Sequence, residues 1–157
     1  MLKCIALFLM VMPTKAQELQ TTQTATFQQV ITNHPGIDRE YAQRIANAID
    51  KAAKELDLNP RRLTAILAQE SMYTLNAINK KSADYGIAQI NHRTIERYGF
   101  DKKRLLTDLE YSVKAGAIVL SDFKRMYGKK EKTYWSRYNS SNPERRKAYE
   151  ILVARYF

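Results

Sequence analysis

The chain has 157 residues, of which 45% are hydrophobic and 27% are charged, and its formal net charge is +10. This size and composition are typical of one globular domain with a real core, and they exclude wholesale disorder and two full-sized domains. The charge favours a polyanionic partner, for which nucleic acid, anionic lipid and a cell wall are the three candidate classes.

Residues 1–16 have the features of a short secretory signal. Lys3 precedes an apolar run over residues 4–12, and small residues follow at Thr14 and Ala16. The run is about half of the ~20 residues that a membrane-spanning helix needs, so we expect cleavage near Ala16 and no stable membrane insertion. The mature chain would then be periplasmic or otherwise exported. The alternatives are an apolar first helix of the domain and an uncleaved anchor.

Residues 17–36 are rich in Gln and Thr and end in Pro35-Gly36, a composition that predicts a polar leader or linker with weak local structure. Over residues 37–157 the hydrophobic period is helical, and no convincing run of alternating β-branched residues is present. We therefore predict a single all-α domain over residues 37–157, with its first helix over residues 38–56.

The next helix is predicted to begin at Asn59-Pro60, where a capping side chain is followed by proline at the first helical position. Along this helix Glu70 lies seven residues after Leu63 and three after Leu67, so it shares a face with core residues. A carboxylate on an apolar face is costly unless it is protonated, hydrogen-bonded or used. Glu70 is thus the first candidate for catalysis, the alternative being a Glu that turns to water or pairs with a basic side chain.

The rest of the chain is predicted as a loop followed by four further helices. A capping-box spacing between Thr107 and Glu110 marks the start of the longest one, and Asn142-Pro143 marks the start of the last. The predicted elements are a loop over 74–84 and helices over 85–98, 107–128, 131–137 and 142–157. The last helix is expected to bury Tyr149, Leu152, Val153 and Tyr156.

Three stretches of the chain resemble a known family when they are taken together and in order. They are LDLNPRRLTAILAQES, SADYGIAQIN and RYNSSNPERRKAYEILV, which span residues from about 56 to 157. In this order and spacing they are similar to the motifs of the soluble lytic transglycosylase family, lysozyme-like domains that act on peptidoglycan. The small size is similar to that of the specialised members that serve secretion, conjugation or phage entry. The chain departs from the family pattern at Ala88, Arg137, Ser141 and Leu152, which bears on subsite shape.

The resemblance implies a role for each residue that matches a family motif. It makes Glu70 the catalytic carboxylate and places the other site residues around the substrate. Ser71 would supply a supporting hydroxyl, Gly86 a close backbone approach, and Tyr138 a hydrogen bond toward Glu70. The substrate-binding residues implied are Ser71, Gly86, Gln89, Asn91, Tyr138 and Asn139.

The chemistry implied is cleavage of the β-1,4 bond between N-acetylmuramic acid (MurNAc) and N-acetylglucosamine (GlcNAc), with formation of 1,6-anhydroMurNAc. Glu70 would act first as acid and then as base, which requires a pKa lifted from about 4.3 toward ~6 by an apolar wall. Most glycosidases use a second carboxylate, and Asp84 is the nearest one in the motif region. We interpret Asp84 as an exposed cap of the following helix.

The expected partners are glycan strands of peptidoglycan and, by analogy, a secretion, conjugation, pilus or phage assembly. Three alternatives remain: a hydrolytic lysozyme on the same substrate, a non-catalytic wall-binding module, and a basic helical protein of nucleic acid or membrane surfaces. Scattered basic residues and the predicted signal argue against the last, and no nucleic acid is expected. The only cysteine is Cys4, and His34 and His92 are isolated, so neither a metal nor a cofactor is expected.

Overall fold

A computed structural model describes residues 24–157, so the predicted signal over residues 1–16 lies outside the described residues. The described chain is predominantly helical, which confirms the predicted all-α class. Within it, every helix is too short or too polar to cross a bilayer. The α-helices are α1 (Ala25–Asn33), α2 (Arg39–Glu55), α3 (Pro60–Ser71), α4 (His92–Tyr98), α5 (Lys102–Thr107), α6 (Leu109–Tyr127) and α7 (Pro143–Ala154). A 3₁₀ helix covers Tyr134–Tyr138, and the strands are β1 (Ile78–Asn79), β2 (Asp84–Tyr85) and β3 (Ile90–Asn91).

Helix α1 contradicts the prediction that residues 17–36 form a polar leader with weak local structure. The Thr24 side chain caps this helix by accepting a hydrogen bond from the Phe27 amide at 3.2 Å. Phe27 and Val30 are both buried in the core. Two apolar residues three apart make too narrow a stripe to stand out in a Gln- and Thr-rich segment. They stabilise the helix only because α2 and α3 supply the surface on which it packs.

Helix α3 lies at the centre of the domain. It begins as predicted, because Asn59 accepts a hydrogen bond from the Arg62 amide at 3.2 Å and Pro60 occupies the first turn. All residues from Leu63 to Ala68 are buried, so the helix is enclosed on every side before it reaches Glu70. The enclosing elements are α1, α2 and α7. The end of α3, which carries Glu70, therefore lies at the edge of the packed core.

A small antiparallel sheet replaces the first half of the helix predicted over residues 85–98. Strand β2 pairs with β1 and with β3, in the order β1-β2-β3, and Asp84 lies opposite Asn79 on one side and Asn91 on the other. The backbone has positive φ at Ala83, Gly86 and Gln89. A helix cannot contain such residues, because the left-handed conformation breaks the i to i+4 hydrogen bonds. Only α4, capped by Asn91, remains of the predicted helix.

The structure differs from the prediction in the cap of the long helix and in the type of the short helix that follows it. Asp108, not Thr107, caps the long helix α6, since its side chain accepts a hydrogen bond from the Tyr111 amide at 3.0 Å. Thr107 instead ends α5, a helix that sequence reasoning missed. The short helix predicted over 131–137 is a 3₁₀ helix over Tyr134–Tyr138. The last helix begins at Pro143 as predicted; Tyr149 and Val153 are buried, whereas Leu152 and Tyr156 are only half-buried.

Candidate active site

A groove of about 490 Å³ opens beside the end of α3. It brings together five of the seven predicted site residues, which come from three separate segments of the chain. Its walls are made by the end of α3, the small sheet, the 3₁₀ helix and the first turn of α7. The lining residues are Glu70, Asn79, Ser82, Asp84, Gln89, Ile90, Asn91, Thr94, Val119, Tyr138, Asn139 and Arg145.

Glu70 lines this groove with a half-buried carboxyl group. Its pKa is raised from 4.5 to about 7, chiefly by burial; a hydrogen bond from Tyr149 opposes the rise, and the negative charge of Asp84 adds to it. Among residues 24–157 no basic side chain forms an ion pair with it. Glu70 can therefore both hold and release a proton near neutral pH.

Tyr149 is the phenol bound to Glu70, and sequence reasoning missed it. Its hydroxyl donates a hydrogen bond to Glu70 Oε1 at 2.5 Å, across 79 positions of the chain. Tyr138, to which the resemblance assigned this bond, instead donates to the Ala88 carbonyl at 2.8 Å while lining the groove. The predicted hydrogen bond from Tyr138 to Glu70 is therefore wrong, because the partner of Tyr138 is the Ala88 carbonyl. A clue was present, because a tyrosine on the buried face of a helix requires a polar partner for its hydroxyl.

Ser71 and Gly86 are not among the residues that line the groove, so their contact with substrate stays a prediction. The Ser71 hydroxyl donates to the Ile87 carbonyl at 2.7 Å and so joins the end of α3 to the turn between β2 and β3. Gly86 is buried with a φ of +79°, and a Cβ there would lie 2.6 Å from Ser112 Oγ. The close approach predicted at Gly86 is real, but its neighbours are α5 and α6.

The amides of Gln89 and Asn91 both lie in the groove lining. Gln89 has a φ of +45°, and its Nε2 donates to the Gly86 carbonyl at 3.0 Å. Within the described chain no donor reaches Gln89 Oε1, which leaves this oxygen to accept from a ligand. Asn91 is more fully occupied, because Nδ2 donates to Asp84 Oδ1 at 2.8 Å and Oδ1 caps α4 through the Arg93 amide. Asn91 thus shapes the sheet as well as the groove.

Asp84 is not the exposed cap that we predicted. It is a half-buried residue of β2 that lines the groove, and its carboxylate accepts hydrogen bonds from Asn91 Nδ2 and from the Ser82 hydroxyl. Its negative charge is one cause of the raised pKa of Glu70. The groove therefore contains two carboxyl groups with different partners: Glu70 is bound by a phenol, whereas Asp84 is bound by an amide and an aliphatic hydroxyl.

An ion-pair network holds the wall that carries Tyr138 and the exposed Asn139. Arg137 donates to both oxygens of Glu131, at 2.9 and 2.6 Å, and Arg146 of α7 donates to Glu131 Oε2 at 2.7 Å. Hydrogen bonds from Arg137 and, to a smaller extent, from Arg146 lower the pKa of Glu131 to about 2. Arg137, where the family pattern has Ala, thus ties the 3₁₀ helix to α7.

A larger cleft of about 800 Å³ lies between α2 and α6, away from Glu70. Two ion pairs lie along it, Lys51 with Glu110 at 3.0 Å and Lys114 with Glu55 at 2.7 Å. The acidic side chain of each pair is exposed and bound to a lysine, in contrast to the half-buried Glu70. Among the described residues no group of His, Cys, Asp and Glu could bind a metal ion. The smaller groove, which contains Glu70, is therefore the candidate active site.

Comparison with known proteins shows the family of this chain. Residues 47–151 match the profile of the transglycosylase SLT domain, a range that contains all seven predicted site residues. Protein IpgF of Shigella flexneri is 32% identical over 90 residues, which are 54% of this chain and 59% of IpgF. Invasion protein IagB of Salmonella typhimurium (strain LT2) is 36% identical over 84 residues, 50% of this chain and 52% of IagB. The chain spans about half the length of these curated relatives. With the profile matching well over half of its residues, the chain belongs to the transglycosylase SLT domain family.

Proposed function

We propose that this chain is a lytic transglycosylase that cleaves the β-1,4 bond between MurNAc and GlcNAc in peptidoglycan and forms 1,6-anhydroMurNAc. The observation that carries the proposal is a desolvated carboxyl group, Glu70, with a pKa of about 7 in a polar groove. A general acid works best when its pKa lies near the working pH, and an ordinary glutamate is ionised there. Membership of the SLT family supports the same substrate class.

In the first step Glu70 donates its proton to the glycosidic oxygen, and the bond between that oxygen and C1 of MurNAc breaks. The 2-acetamido oxygen of MurNAc bonds to C1 and carries the positive charge that develops there. The GlcNAc residue leaves with the proton on its O4. Glu70 is then a carboxylate, and the Tyr149 hydroxyl stabilises that charge through its hydrogen bond to Oε1.

In the second step Glu70 accepts the proton of the C6 hydroxyl of the same MurNAc. O6 bonds to C1, the acetamido oxygen is released from C1, and the 1,6-anhydro ring is closed. Glu70 is again protonated, so no net proton is gained or lost and no water is consumed. A group with a pKa of about 7 suits both steps, because it is neither too weak an acid for the first nor too weak a base for the second.

Hydrolysis of the same bond is the second candidate, and the position of Asp84 favours it. Asp84 lines the groove and accepts hydrogen bonds from Asn91 and Ser82, so a second carboxyl group is present in the same groove, as that mechanism requires. In that mechanism Asp84 would act as a nucleophile or as a base for water. The two candidates share Glu70 as the acid and differ in the end group of the product.

The test is mass spectrometry of the fragments that the purified wild-type protein releases from isolated sacculi. We expect glycan ends in the 1,6-anhydro form, lighter by one water than reducing ends. Reducing ends alone would contradict transglycosylation and select the Asp84-assisted hydrolase. Binding to sacculi without release of soluble fragments would contradict both and select a non-catalytic wall-binding module.

Replacing Tyr149 with phenylalanine tests whether the Tyr149 hydroxyl controls the pKa of Glu70. The variant loses the donor that stabilises the ionised form of Glu70, so the pKa of Glu70 should rise. Because the first step needs protonated Glu70, the alkaline limb of the pH-activity profile should move up by about one pH unit. Tyr98→Phe is the matched control, since Tyr98 donates to a different carboxylate, Asp122, at 2.6 Å. An unshifted limb in Tyr149→Phe, or an equal shift in the control, would refute this role.

We further propose that the protein acts outside the cytoplasm, after cleavage of the signal predicted over residues 1–16. One relative is named an invasion protein. This supports a role in opening the wall locally for an envelope-spanning assembly such as a secretion, conjugation or pilus machine. Detection of a shortened chain, beginning near Gln17, in the exported fraction would support cleavage of this signal.

A further inference from the structure

We propose that Arg145 binds a carboxylate carried by the MurNAc units of the glycan and thereby selects MurNAc-containing strands over neutral ones. This inference rests on the proposed function, because it concerns the substrate of the same groove. Arg145 is the single basic residue among the groove-lining residues of the described chain, whose other members are two acids and neutral side chains.

The backbone of Arg145 is held in place at the start of α7. Its amide donates to the Asn142 side chain at 3.0 Å, in the first turn after the cap. The side chain of the next residue, Arg146, is instead used inside the protein, where it donates hydrogen bonds to Glu131 and to Ser136 Oγ. Two consecutive arginines thus differ, since one closes an internal ion-pair network and the other reaches the groove.

The guanidinium of Arg145 is exposed and forms no ion pair with any acidic side chain of residues 24–157. Burial, Tyr149 and Asp84 account for the raised pKa of Glu70, so Arg145 is not placed to neutralise that group. Its charge and its five donors are therefore free for a ligand. Guanidinium groups bind carboxylates through two parallel hydrogen bonds, a geometry that an ammonium group cannot reproduce.

The chemistry of the substrate supplies a carboxylate on only one of its two sugars. GlcNAc is neutral, whereas each MurNAc carries a lactyl group that ends either in a carboxylate or in an acidic stem peptide. A cation beside the cleavage site therefore distinguishes MurNAc units from GlcNAc units. The lactyl and peptide carboxylates share this chemistry, and the test below separates them.

The experiment measures equilibrium binding in the Glu70→Gln background, so that the probes stay intact. The probes are glycan strands with stem peptides, strands whose peptides an amidase has removed to leave lactyl carboxylates, and a GlcNAc hexamer without carboxylate. We expect Arg145→Gln to weaken binding of a carboxylate-bearing probe about three- to tenfold and to leave the hexamer unchanged. If Arg145→Gln weakens binding only of the strands with stem peptides, Arg145 binds a peptide carboxylate. If it weakens binding of both kinds of strand, Arg145 binds at the lactyl group or directly next to it.

Arg155→Gln is the matched control, because Arg155 is an exposed arginine at the far end of the same helix and its loss changes the net charge equally. Equal weakening in the control, equal weakening toward the hexamer, or no weakening at all would overturn the inference. Digestion of sacculi by the protein with Glu70 intact is measured in parallel. Failure to cleave with carboxylate-dependent binding intact would refute the proposed function alone, whereas cleavage without an Arg145 effect on binding would refute this inference alone.

Discussion

Glu70→Gln is expected to lower the rate of glycan release from sacculi by at least about a thousandfold. Glutamine keeps the size and hydrogen-bonding capacity of the protonated side chain, but it can neither give a proton to the glycosidic oxygen nor take one from the C6 hydroxyl. The measurement is soluble fragment release at pH 7 by equal amounts of the two proteins. Glu110→Gln is the matched control, because Glu110 is exposed and paired with Lys51 in the other cleft, and it should keep full activity. Retention of most of the activity by Glu70→Gln would refute the assignment.

Glu70→Gln should also be more stable than the wild type at neutral pH. Observing this would exclude misfolding as the cause of lost activity. The pKa of Glu70 is raised to about 7 in the folded protein, so the folded state holds this proton more tightly than the unfolded state. The corresponding stability is fully present below pH 4.5 and is lost as the pH rises through 7. Glutamine stays neutral throughout. As the pH rises from 4.5 to 7, the free energy of unfolding of the variant should therefore increase relative to that of the wild type, by at most on the order of 3 kcal/mol. Thermal unfolding across this range measures the gain, and a variant less stable than wild type at pH 8 would contradict it.

Gly86→Ala is expected to lower both stability and activity. The residue has a φ of +79°, and the added Cβ would lie 2.6 Å from Ser112 Oγ and also against the Leu105 carbonyl, which is backbone and cannot turn away. We expect a loss of about 3 kcal/mol in the free energy of unfolding, or roughly 10 °C in Tm, from strain and overpacking together. Relief of the clash would shift the turn that carries Gln89, so activity should fall as well.

Gly99→Ala separates the two causes. Gly99 also has a positive φ, of +67°, but a Cβ there meets nothing within 4 Å. Its substitution should therefore cost only the backbone strain, about 1 kcal/mol, and leave activity unchanged because Gly99 lies outside the groove. Denaturant unfolding of the two variants measures the difference. Equal losses at the two positions would show that the packing of Gly86 against α5 and α6 contributes nothing.

Features carried by neighbouring residues could be predicted from the sequence. Asn59 followed by Pro60 places the start of α3, and the spacing from Leu63 places Glu70 on the inner face of that helix. Helix α4 ends at Tyr98 and α7 begins directly after Asn142, as predicted. The three motifs, in order, also identified the family. Each of these signals acts within one or two turns of helix, where capping and side-chain spacing are decided by residues close in the sequence.

Other features depended on residues far apart in the chain. Asp84, interpreted as a helix cap, lies on a strand because Asn91 and Asn79 pair with its segment. Phe27 and Val30 belong to the core because α2 and α3 cover them. Tyr149, on the last helix, is the donor to Glu70, whereas Tyr138 binds the Ala88 carbonyl. No pattern within a single helix or strand carries these contacts.

The sequence by itself determined the class of fold and the family, and it singled out Glu70 as the candidate catalytic carboxyl group. Only the tertiary structure decided what surrounds that group: the phenol of Tyr149, the charge of Asp84 and the position of Arg145 in the groove. The physical reason is that helix caps and apolar stripes are local, whereas desolvation and hydrogen bonding at a site depend on every segment packed around it. The proton affinity of Glu70 is such a quantity, since no single segment sets it.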